Sequence, residues 1–579
     1  MTLGSTRSTV AYFSMEICLE QAIPTYSGGL GVLAGDTLRS AADLGVPEVA
    51  VTLLHRKGYF EQHLDAEGQQ TESPVSWSPE DELELMDGRS TVLIEGRTVH
   101  VAAWKYAVKG VRGHEVPVYL LDTNLPENGD FDRTLTDSLY GGDEYYRLCQ
   151  EIVLGMGGAG MLQALGYADG AIYHLNEGHS ALLTLQLLEK QLDGRQHFEL
   201  LDADLAAVRQ RCVFTTHTPV PAGHDKFPLD MVRRVLGDER VALLEGAGGV
   251  HEGMLNMTHL ALHLTRFVNG VAMRHRDVSR TMFPDYPISS ITNGVHATTW
   301  AGPAFASLFD RLIPEWRRDN LYMRYAVSIP LQDIRDAHAE SKSALLDEVE
   351  RRTKVQLDPS VMTIGFARRA TPYKRADLIF SDIDRLLTIA KNVGKLQIVF
   401  GGKAHPHDGG GKELIRRIFA ARERLGKLVQ VVYLENYEMA LAHQMVAGVD
   451  LWLNNPMKPL EASGTSGMKA AINGVPSFSV LDGWWVEGHV EGVTGWSIGG
   501  PEAEGDPGRD ALDLYIKLER VILPLFYGLP FAYAEVMRSA ISLNGSFFNT
   551  QRMVRQYVHN AYFPGELPAD IRVEDTALL

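Results

Sequence analysis

The second half of the 579-residue chain alternates short apolar runs with amphipathic stretches, and this alternation constrains its fold more than any other feature. The apolar runs predict strands at 361–369, 396–404, 428–436, 449–456 and 475–482. Amphipathic stretches such as 377–391 and 412–425 lie between them and predict helices. Strands that alternate with helices over short connections are typical of a doubly wound parallel sheet.

The first half carries similar but less regular apolar runs, at 10–16, 49–55, 118–122, 171–176 and 211–216, with a helical stretch at 180–191. A chain of this length exceeds what one hydrophobic core usually supports. We therefore predict two doubly wound, Rossmann-like α/β domains, residues 1–295 and 296–579, that face each other across a cleft. Because ligands of such sheets bind beyond the carboxyl ends of the strands, the cleft is the predicted site.

Charge and cysteine content exclude several classes of protein. The formal net charge of -18 argues against general binding to nucleic acid or to an anionic membrane. The three cysteines are too few and too scattered for a disulfide framework or a zinc cluster. We find no signal-peptide core and no apolar run of about 18 residues, which a membrane span requires. We expect a cytoplasmic protein with no metal site.

The segment EASGTSGMK at 461–469 follows a predicted strand and opens a predicted helix. Its small residues allow backbone amides to approach an anion at a helix amino terminus, so a phosphate fits there. Lys469 falls in the first helical turn, where the helix dipole disfavours a cation and lowers the pKa of an amine. A neutral amine suits a lysine that reacts with a carbonyl group. The alternative is a solvated lysine on a frayed turn.

The segment RRATPYKR at 368–375 places four cations within eight residues of an otherwise acidic chain. It follows the strand residues 361–366, so part of it lies at the carboxyl end of that strand and faces the cleft. Such a cluster could hold two phosphates that would otherwise repel each other. The alternative is a solvated basic patch, or ion pairs with Asp377 and Asp382.

Both segments resemble motifs of the glycogen and starch phosphorylases, whose usual forms are EASGTxNMK and KRIHEYKR. The resemblance implies a GT-B-like fold and pyridoxal 5′-phosphate as cofactor. It implies that Lys469 carries the cofactor covalently, and that Gly29 and Tyr437 lie near it. The cofactor phosphate would contact Gly464, Thr465, Ser466 and Arg368. Substrate phosphate would be held by Gly29, Arg369, Tyr373 and Lys374, and glucosyl hydroxyls by Glu461 and Ser463.

Motifs in the first half extend the resemblance. SGGLGVLAGD at 27–36 resembles NGGLGRLA and places Gly29 and Leu30 at the substrate. HLNEGH at 174–179 and THTPVPAGH at 216–224 resemble NDTH and NHTVLPEA, which implies that His217 lies over the glucosyl ring and that Glu177 and His179 line the acceptor side. TNGV at 292–295 matches TNGI, which makes Asn293 a partner of the sugar 6-hydroxyl. DGWWVE at 482–487 resembles DGANVE, and Gly467 stands where the family has Asn.

The matching blocks run through most of the chain, which resembles the short bacterial α-glucan phosphorylases that lack an amino-terminal regulatory segment. The implied reaction is phosphorolysis of an α-1,4-glucan (glycogen, starch or maltodextrin) by inorganic phosphate, giving α-glucose 1-phosphate with retention. The family is commonly dimeric, so a homodimer is consistent with it. Three other hypotheses remain: a nucleotide-sugar-dependent GT-B glycosyltransferase without the cofactor, a pyridoxal-phosphate enzyme of amino-acid metabolism, and a non-catalytic glucan-binding protein.

Overall fold

The computed structural model of the chain describes residues 8–167, 170–192, 195, 200–500 and 505–565. The strands of the first half are β1 Val10–Phe13, β2 Glu48–Leu53, β3 Glu61–Leu64, β4 Gln70–Ser73, β5 Glu84–Ile94, β6 Arg97–Lys109, β7 Glu115–Asp122, β8 Ile172–Asn176, β9 Cys212–Thr215, β10 Lys226–Pro228, β11 Val250–His251, β12 Met254–Asn256, β13 Phe267–Gly270 and β14 Ser289–Ser290. Its α-helices are α1 Gly29–Leu44, α2 Pro79–Glu82, α3 Glu144–Ile152, α4 Gly158–Ala164, α5 Leu183–Gln191, α6 Asp202–Arg209, α7 Leu229–Leu236, α8 Asp238–Gly246, α9 Met257–His263 and α10 Met273–Met282.

The second half contains the remaining strands, β15 Met362–Ala367, β16 Leu396–Gly401, β17 Val429–Leu434, β18 Leu451–Asn454, β19 Ser477–Val480 and β20 Gly495–Ile498. Its α-helices are α11 Ala297–Trp300, α12 Pro303–Leu312, α13 Leu331–Thr353, α14 Ile383–Asn392, α15 Gly409–Leu425, α16 Met439–Gly448, α17 Ser466–Ile472, α18 Trp485–Gly488, α19 Pro507–Lys517, α20 Leu523–Gly528, α21 Pro530–Ser539 and α22 Thr550–Tyr557.

The first half forms a nine-stranded sheet in the order β14-β13-β9-β8-β1-β2-β7-β6-β5. Strands from β14 to β7 run parallel, whereas β6 pairs antiparallel with both β5 and β7. The five strands predicted in this half are all present. The sequence did not indicate β5, β6, β13 and β14 of this sheet. One face of β5 is largely exposed, and its ladder with β6 carries an irregularity between Leu85 and Arg89.

The second half forms a six-stranded, fully parallel sheet in the order β17-β16-β15-β18-β19-β20. Each of the five predicted strands is present but shorter, because its last residues leave the ladder and enter loops. The strand predicted at 361–369 ends at Ala367, so Arg368 and Arg369 lie in the loop at its carboxyl end. The predicted α/β fold with two large, mostly parallel sheets is confirmed.

The chain returns to the first sheet at its end. The hydroxyl of Tyr557 accepts a hydrogen bond of 3.0 Å from Nδ2 of Asn269 on β13 and lies 3.1 Å from Oγ1 of Thr215 on β9. The hydroxyl of Tyr562 lies 2.6 Å from Nδ1 of His174 on β8. Residues 550–562 therefore belong spatially with the first half, and the predicted division at residue 295 stays a prediction.

Among the helices in the described part of the chain, none is both long and apolar enough to cross a bilayer. The same residues contain no group of three or more His, Cys, Asp or Glu side chains placed to hold a metal ion.

Candidate active site

Lys469 lies on α17, the short helix that follows the EASGTSG loop, and its side chain is almost fully buried. Its Nζ stands 3.8 Å from the centroid of the Trp300 ring. Burial lowers the pKa of Lys469 to about 8, although the nearby Asp36 carboxylate and Cys18 act in the opposite direction. The predicted direction of the shift is confirmed, but its main cause is loss of water rather than the helix dipole.

Trp300 is fixed above Lys469 by two further contacts that the sequence did not indicate. Its indole Nε1 donates a hydrogen bond of 2.7 Å to Asp36 Oδ2, and its ring stacks on His443 at 4.4 Å. Burial lowers the pKa of His443 to about 4, so this imidazole is neutral at pH 7. In the described chain, Trp300, backed by His443, and the Asp36 carboxylate therefore lie around Lys469, and all three come from elements distant in sequence.

Three of the four cations in the basic segment 368–375 have nearly buried side chains, so the segment is not a solvated patch. Arg368 and Lys374 both donate hydrogen bonds to Oε2 of Glu461, the latter at 2.7 Å. Burial opposes ionisation of Glu461, yet these two cations lower its pKa to about 2. Arg375 pairs at 2.8 Å with Asp510. The alternative of pairing with Asp377 and Asp382 is not what the structure shows; Arg417 takes Asp377, and Asp382 caps α14.

Arg369 differs from its neighbours because its side chain is exposed. Among the residues described, none forms a hydrogen bond or ion pair with its guanidinium. It faces the glycine turn at the start of α1: a Cβ built on Gly28 would lie 3.4 Å from Nη2 of Arg369. Gly29 is exposed, with open space at its Cβ position, and Leu30 is half-buried beside it. Arg369 of the second half and the glycine turn of the first half thus lie close to each other.

Glu16 organises this turn. Its Oε2 accepts hydrogen bonds from the amides of Ser27 and Gly28, and its Oε1 accepts one of 3.0 Å from the hydroxyl of Tyr140. The sequence placed Glu16 at the end of a strand but indicated no role for it. Its carboxylate holds the turn open towards Arg369.

Glu177 follows β8 and has a φ of 77°, a left-handed conformation that is unusual for a residue other than glycine. Its carboxylate accepts hydrogen bonds from the amide of Gly178 (3.1 Å), the amide of His217 (2.7 Å) and Oγ1 of Thr218 (2.9 Å). Glu177 therefore fixes the backbone of the loop after β9. A sugar contact would have to share this occupied carboxylate.

His217 and His179 lie near this carboxylate. Nε2 of His217 lies 2.7 Å from Oδ1 of Asn176, and burial lowers its pKa to about 4, so the ring is neutral at pH 7. Nε2 of His179 lies 3.3 Å from Asp225, whereas its Nδ1 has no hydrogen-bond partner in the described chain. Both histidines lie beyond the carboxyl ends of the first sheet.

Two further predicted residues present buried polar atoms without partners. Neither Oδ1 of Asn293 nor Oγ of Ser463 has a hydrogen-bond partner among the described residues. Unpaired buried polar atoms are rare in folded proteins and commonly mark a functional site. Tyr373 lies beneath Lys374, whose Nζ is 4.4 Å from its ring, and Tyr437 is half-buried near Arg368.

At one position, Gly464, the EASGTSG loop has a backbone conformation that lets an anion approach closely. Gly464 has a φ of 83°, which glycine adopts without strain. Thr465 precedes the first residue of α17, Ser466, whose Oγ accepts a hydrogen bond of 3.0 Å from Trp452 Nε1. The loop amides thus lie at the amino end of the helix that carries Lys469.

Gly467 and Trp484, which both depart from the family pattern, contact each other. A Cβ on Gly467 would lie 2.8 Å from Cζ2 of Trp484 and 2.9 Å from Oγ of Ser477. The Trp484 ring therefore fills the space that the family's asparagine side chain would need. The two departures are complementary in volume.

A family model and several known proteins are similar to this chain in sequence. The sequence model of the carbohydrate phosphorylase family matches residues 237–493. The chain is 40% identical to the maltodextrin phosphorylase of Thermococcus litoralis, over 96% of this chain and 70% of the relative. It is 38% identical to the glycogen phosphorylase of Mycobacterium tuberculosis (96% and 71%) and 35% identical to that of Aquifex aeolicus (96% and 86%). On these grounds the chain belongs to the carbohydrate phosphorylase family.

Proposed function

We propose that this chain is an α-1,4-glucan phosphorylase, which transfers the non-reducing terminal glucose of a glucan to inorganic phosphate. The observation that carries the proposal is the buried Lys469 with its lowered pKa, at the end of the segment whose Glu461 binds Arg368 and Lys374. The neighbouring Arg369 forms no hydrogen bond or ion pair with any described residue. The printed names of the relatives, glycogen and maltodextrin phosphorylase, support the same activity. We further propose glycogen, starch or maltodextrin as substrate, a homodimer and a cytoplasmic location.

The residues around Lys469 fit pyridoxal 5′-phosphate. A buried amine with a pKa near 8 is neutral often enough to react with an aldehyde, and no carboxylate forms an ion pair with it in the described chain. Backbone amides of Gly464, Thr465 and Ser466 would hold the cofactor phosphate at the start of α17, with Arg368 as its cation. Tyr437 and Gly29 would border the group. When bound, it supplies a second phosphate whose pKa of about 6 allows proton exchange at neutral pH.

Arg369, Lys374 and the Gly29 amide would bind the substrate phosphate. The exposed guanidinium of Arg369 offers paired N–H donors that match a phosphate, and it faces the amino terminus of α1. Lys374 adds a second positive charge, which it shares with Glu461. This charge offsets the repulsion between two neighbouring phosphates.

The glucosyl unit would lie between this anion site and His217. Asn293 and Ser463 would use their unpaired oxygens for sugar hydroxyls, with Glu461 and Tyr373 completing the set. Glu177 would hold the His217 backbone in place, and His179 would present its free Nδ1 to the acceptor glucose. His217 is neutral at pH 7, so it can orient hydroxyls without placing a positive charge beside a developing glucosyl cation.

The phosphorolysis then needs no pair of catalytic carboxylates, because the substrate phosphate supplies both the proton and the attacking oxygen. The bound substrate phosphate gives its proton to the glycosidic oxygen as the C1–O bond breaks, and one of its oxygens forms the new bond to C1 on the same face. Arg369 and Lys374 would keep that phosphate in position beside the bond that breaks.

Incubating the protein with maltodextrin and inorganic phosphate tests the proposal. We expect α-glucose 1-phosphate in the wild type, none in Lys469→Ala, and unchanged release in Lys109→Ala, a lysine whose side chain is 73% exposed and pairs with Glu115. Transfer from a nucleotide sugar without phosphate would instead support the glycosyltransferase alternative. Full activity in a protein that carries no pyridoxyl group would rule the proposed mechanism out.

A further inference from the structure

The loop that carries Asn293 is held by a segment more than 250 residues later in the chain. The amide of Val295 donates a hydrogen bond of 3.1 Å to the carbonyl of Phe548, and the amide of Thr550 donates one of 3.0 Å to the carbonyl of Val295. Val295 and Asn549 pair as an isolated parallel bridge. The loop thus joins the chain just before α22 rather than a neighbouring strand.

Gly294 allows this close approach. A Cβ at this position would lie only 2.2 Å from the carbonyl carbon and 2.3 Å from the carbonyl oxygen of Asn549. Any side chain would therefore push the loop away from the segment before α22. The glycine of the TNGV motif serves the docking of two distant pieces of backbone.

Arg552 on α22 completes the contact. Its Nη1 donates a hydrogen bond of 2.6 Å to the carbonyl of Thr292, and its Nη2 donates one of 2.9 Å to the carbonyl of Asn293. Its Nε donates to the carbonyl of Phe547, and the guanidinium lies 4.8 Å from the Phe547 ring. The planar guanidinium thus grips two successive carbonyls from fixed directions, which an ammonium group cannot reproduce.

The side chain of Asn293, unlike its backbone, has an oxygen that forms no hydrogen bond within the described chain. It is buried, and its Oδ1 has no hydrogen-bond partner within the described chain. Its backbone is fixed on both sides, by Arg552 at the carbonyl and by the carbonyl of Val271 at the amide. The backbone of Asn293 is therefore held in one place, while Oδ1 of its buried side chain stays available as an acceptor.

We propose that Arg552 is a positioning residue for the donor sugar: it fixes the loop of Thr292 and Asn293 so that Asn293 meets the sugar 6-hydroxyl. This inference deepens the proposed function and rests on it for the identity of the sugar. Arg552 itself contacts no reacting atom; it acts through the two carbonyls it holds.

Two donors that differ only at C6 test the catalytic consequence. In the synthesis direction, with maltodextrin as acceptor, α-glucose 1-phosphate carries the 6-hydroxymethyl group and α-xylose 1-phosphate lacks it. We expect Arg552→Gln to lower kcat/KM for the glucose donor roughly 10- to 100-fold, the range for losing hydrogen bonds from a charged group. For the xylose donor we expect less than about a threefold change, because Asn293 has nothing to bind there.

Arg555→Gln is the matched control, since Arg555 lies on the same helix but pairs at the surface with Asp319. Arg552→Lys keeps the positive charge and serves as a second variant in case Arg552→Gln does not fold. It should restore only part of the preference for the glucose donor over the xylose donor. Equal losses for both donors in both Arg552 variants would show a general structural role and overturn the inference.

Hydrogen exchange separates the positioning contact from the proposed reaction. The amides of 290–296 should exchange faster in Arg552→Gln than in wild type or Arg555→Gln, whatever the enzyme catalyses. Unchanged exchange would overturn the positioning role. If Arg552→Gln exchanges faster as expected but the wild type transfers no glucose from glucose 1-phosphate, the positioning role stands and the proposed function is contradicted.

Discussion

The pKa of Lys469 gives a quantitative test of the site. At pH 7 a lysine with the ordinary pKa of 10.5 is neutral in about 0.03% of molecules, and one with a pKa of about 8 in about 9%. Burial against Trp300 thus raises the neutral fraction about 300-fold. This fraction limits the rate at which the amine attacks an aldehyde.

The assay is a short pulse of pyridoxal 5′-phosphate at a series of pH values from 6 to 10, followed by borohydride reduction and peptide mass spectrometry. Labelling of Lys469 should rise with pH to a plateau with a midpoint near 8. Labelling of Lys57, whose side chain is 60% exposed, is measured in the same samples. Dividing by it corrects for the effect of pH on the reagent itself. Lys403, whose pKa burial also lowers to about 8, is an internal comparator.

Asp36 offers a matched perturbation. Its carboxylate favours the protonated form of Lys469, so Asp36→Asn should shift the labelling midpoint below that of the wild type while the amide oxygen can still accept from Trp300. A Lys469 profile that rises in parallel with Lys57 and shows no plateau by pH 10 would refute the argument from burial.

Three other predictions concern packing and pH. Gly467→Asn should destabilise the protein by about 1–3 kcal/mol through overpacking against Trp484, and the double variant with Trp484→Ala should lose less stability than the sum of the two single losses, as thermal unfolding of the three variants would show. Gly294→Ala should lower stability by more than about 1 kcal/mol and impair activity, because its Cβ would meet the backbone of Asn549, whereas Gly528→Ala, with open space at its Cβ, should lose far less. Glu48 is buried with both carboxylate oxygens unpaired in the described chain, and burial raises its pKa from 4.5 to about 8. The folded state therefore retains a proton that the unfolded state releases, so stability should fall as the pH rises from about 4.5 to 8 and flatten above, by an amount on the order of several kcal/mol; unfolding midpoints of Glu48→Gln should lack this slope.

Each of these has a clear contrary outcome. Additive losses in the Gly467 and Trp484 double variant would show that the two positions do not share space. Equal stability of the two glycine variants would contradict the close approach at Gly294. An identical pH slope in wild type and Glu48→Gln would assign the slope to other groups.

Much of the architecture could be predicted from the sequence, because strands buried on both faces give continuous apolar runs. All ten predicted strands are present, with ends that differ by a few residues where the chain leaves the ladder. The antiparallel β5 escaped prediction because an exposed face interrupts its apolar signal, and β6, β13, β14 and β20 of the two large sheets were not predicted either. The motifs identified the loop with Lys469 and the cation cluster for the same local reason: small residues and charges are adjacent along the chain.

The partners of those motifs come from far along the chain, and no local pattern contains them. Spacing in the sequence says nothing of Trp300 and Asp36 around Lys469, or of Glu461 between Arg368 and Lys374.

Periodicity, glycine and charge act over a few residues, so the sequence was enough to predict the two-sheet fold and the places of Lys469 and the cations along the chain. Which charges are buried, which are paired and which stay available became known from the tertiary structure, because burial and pairing depend on distances between residues hundreds of positions apart.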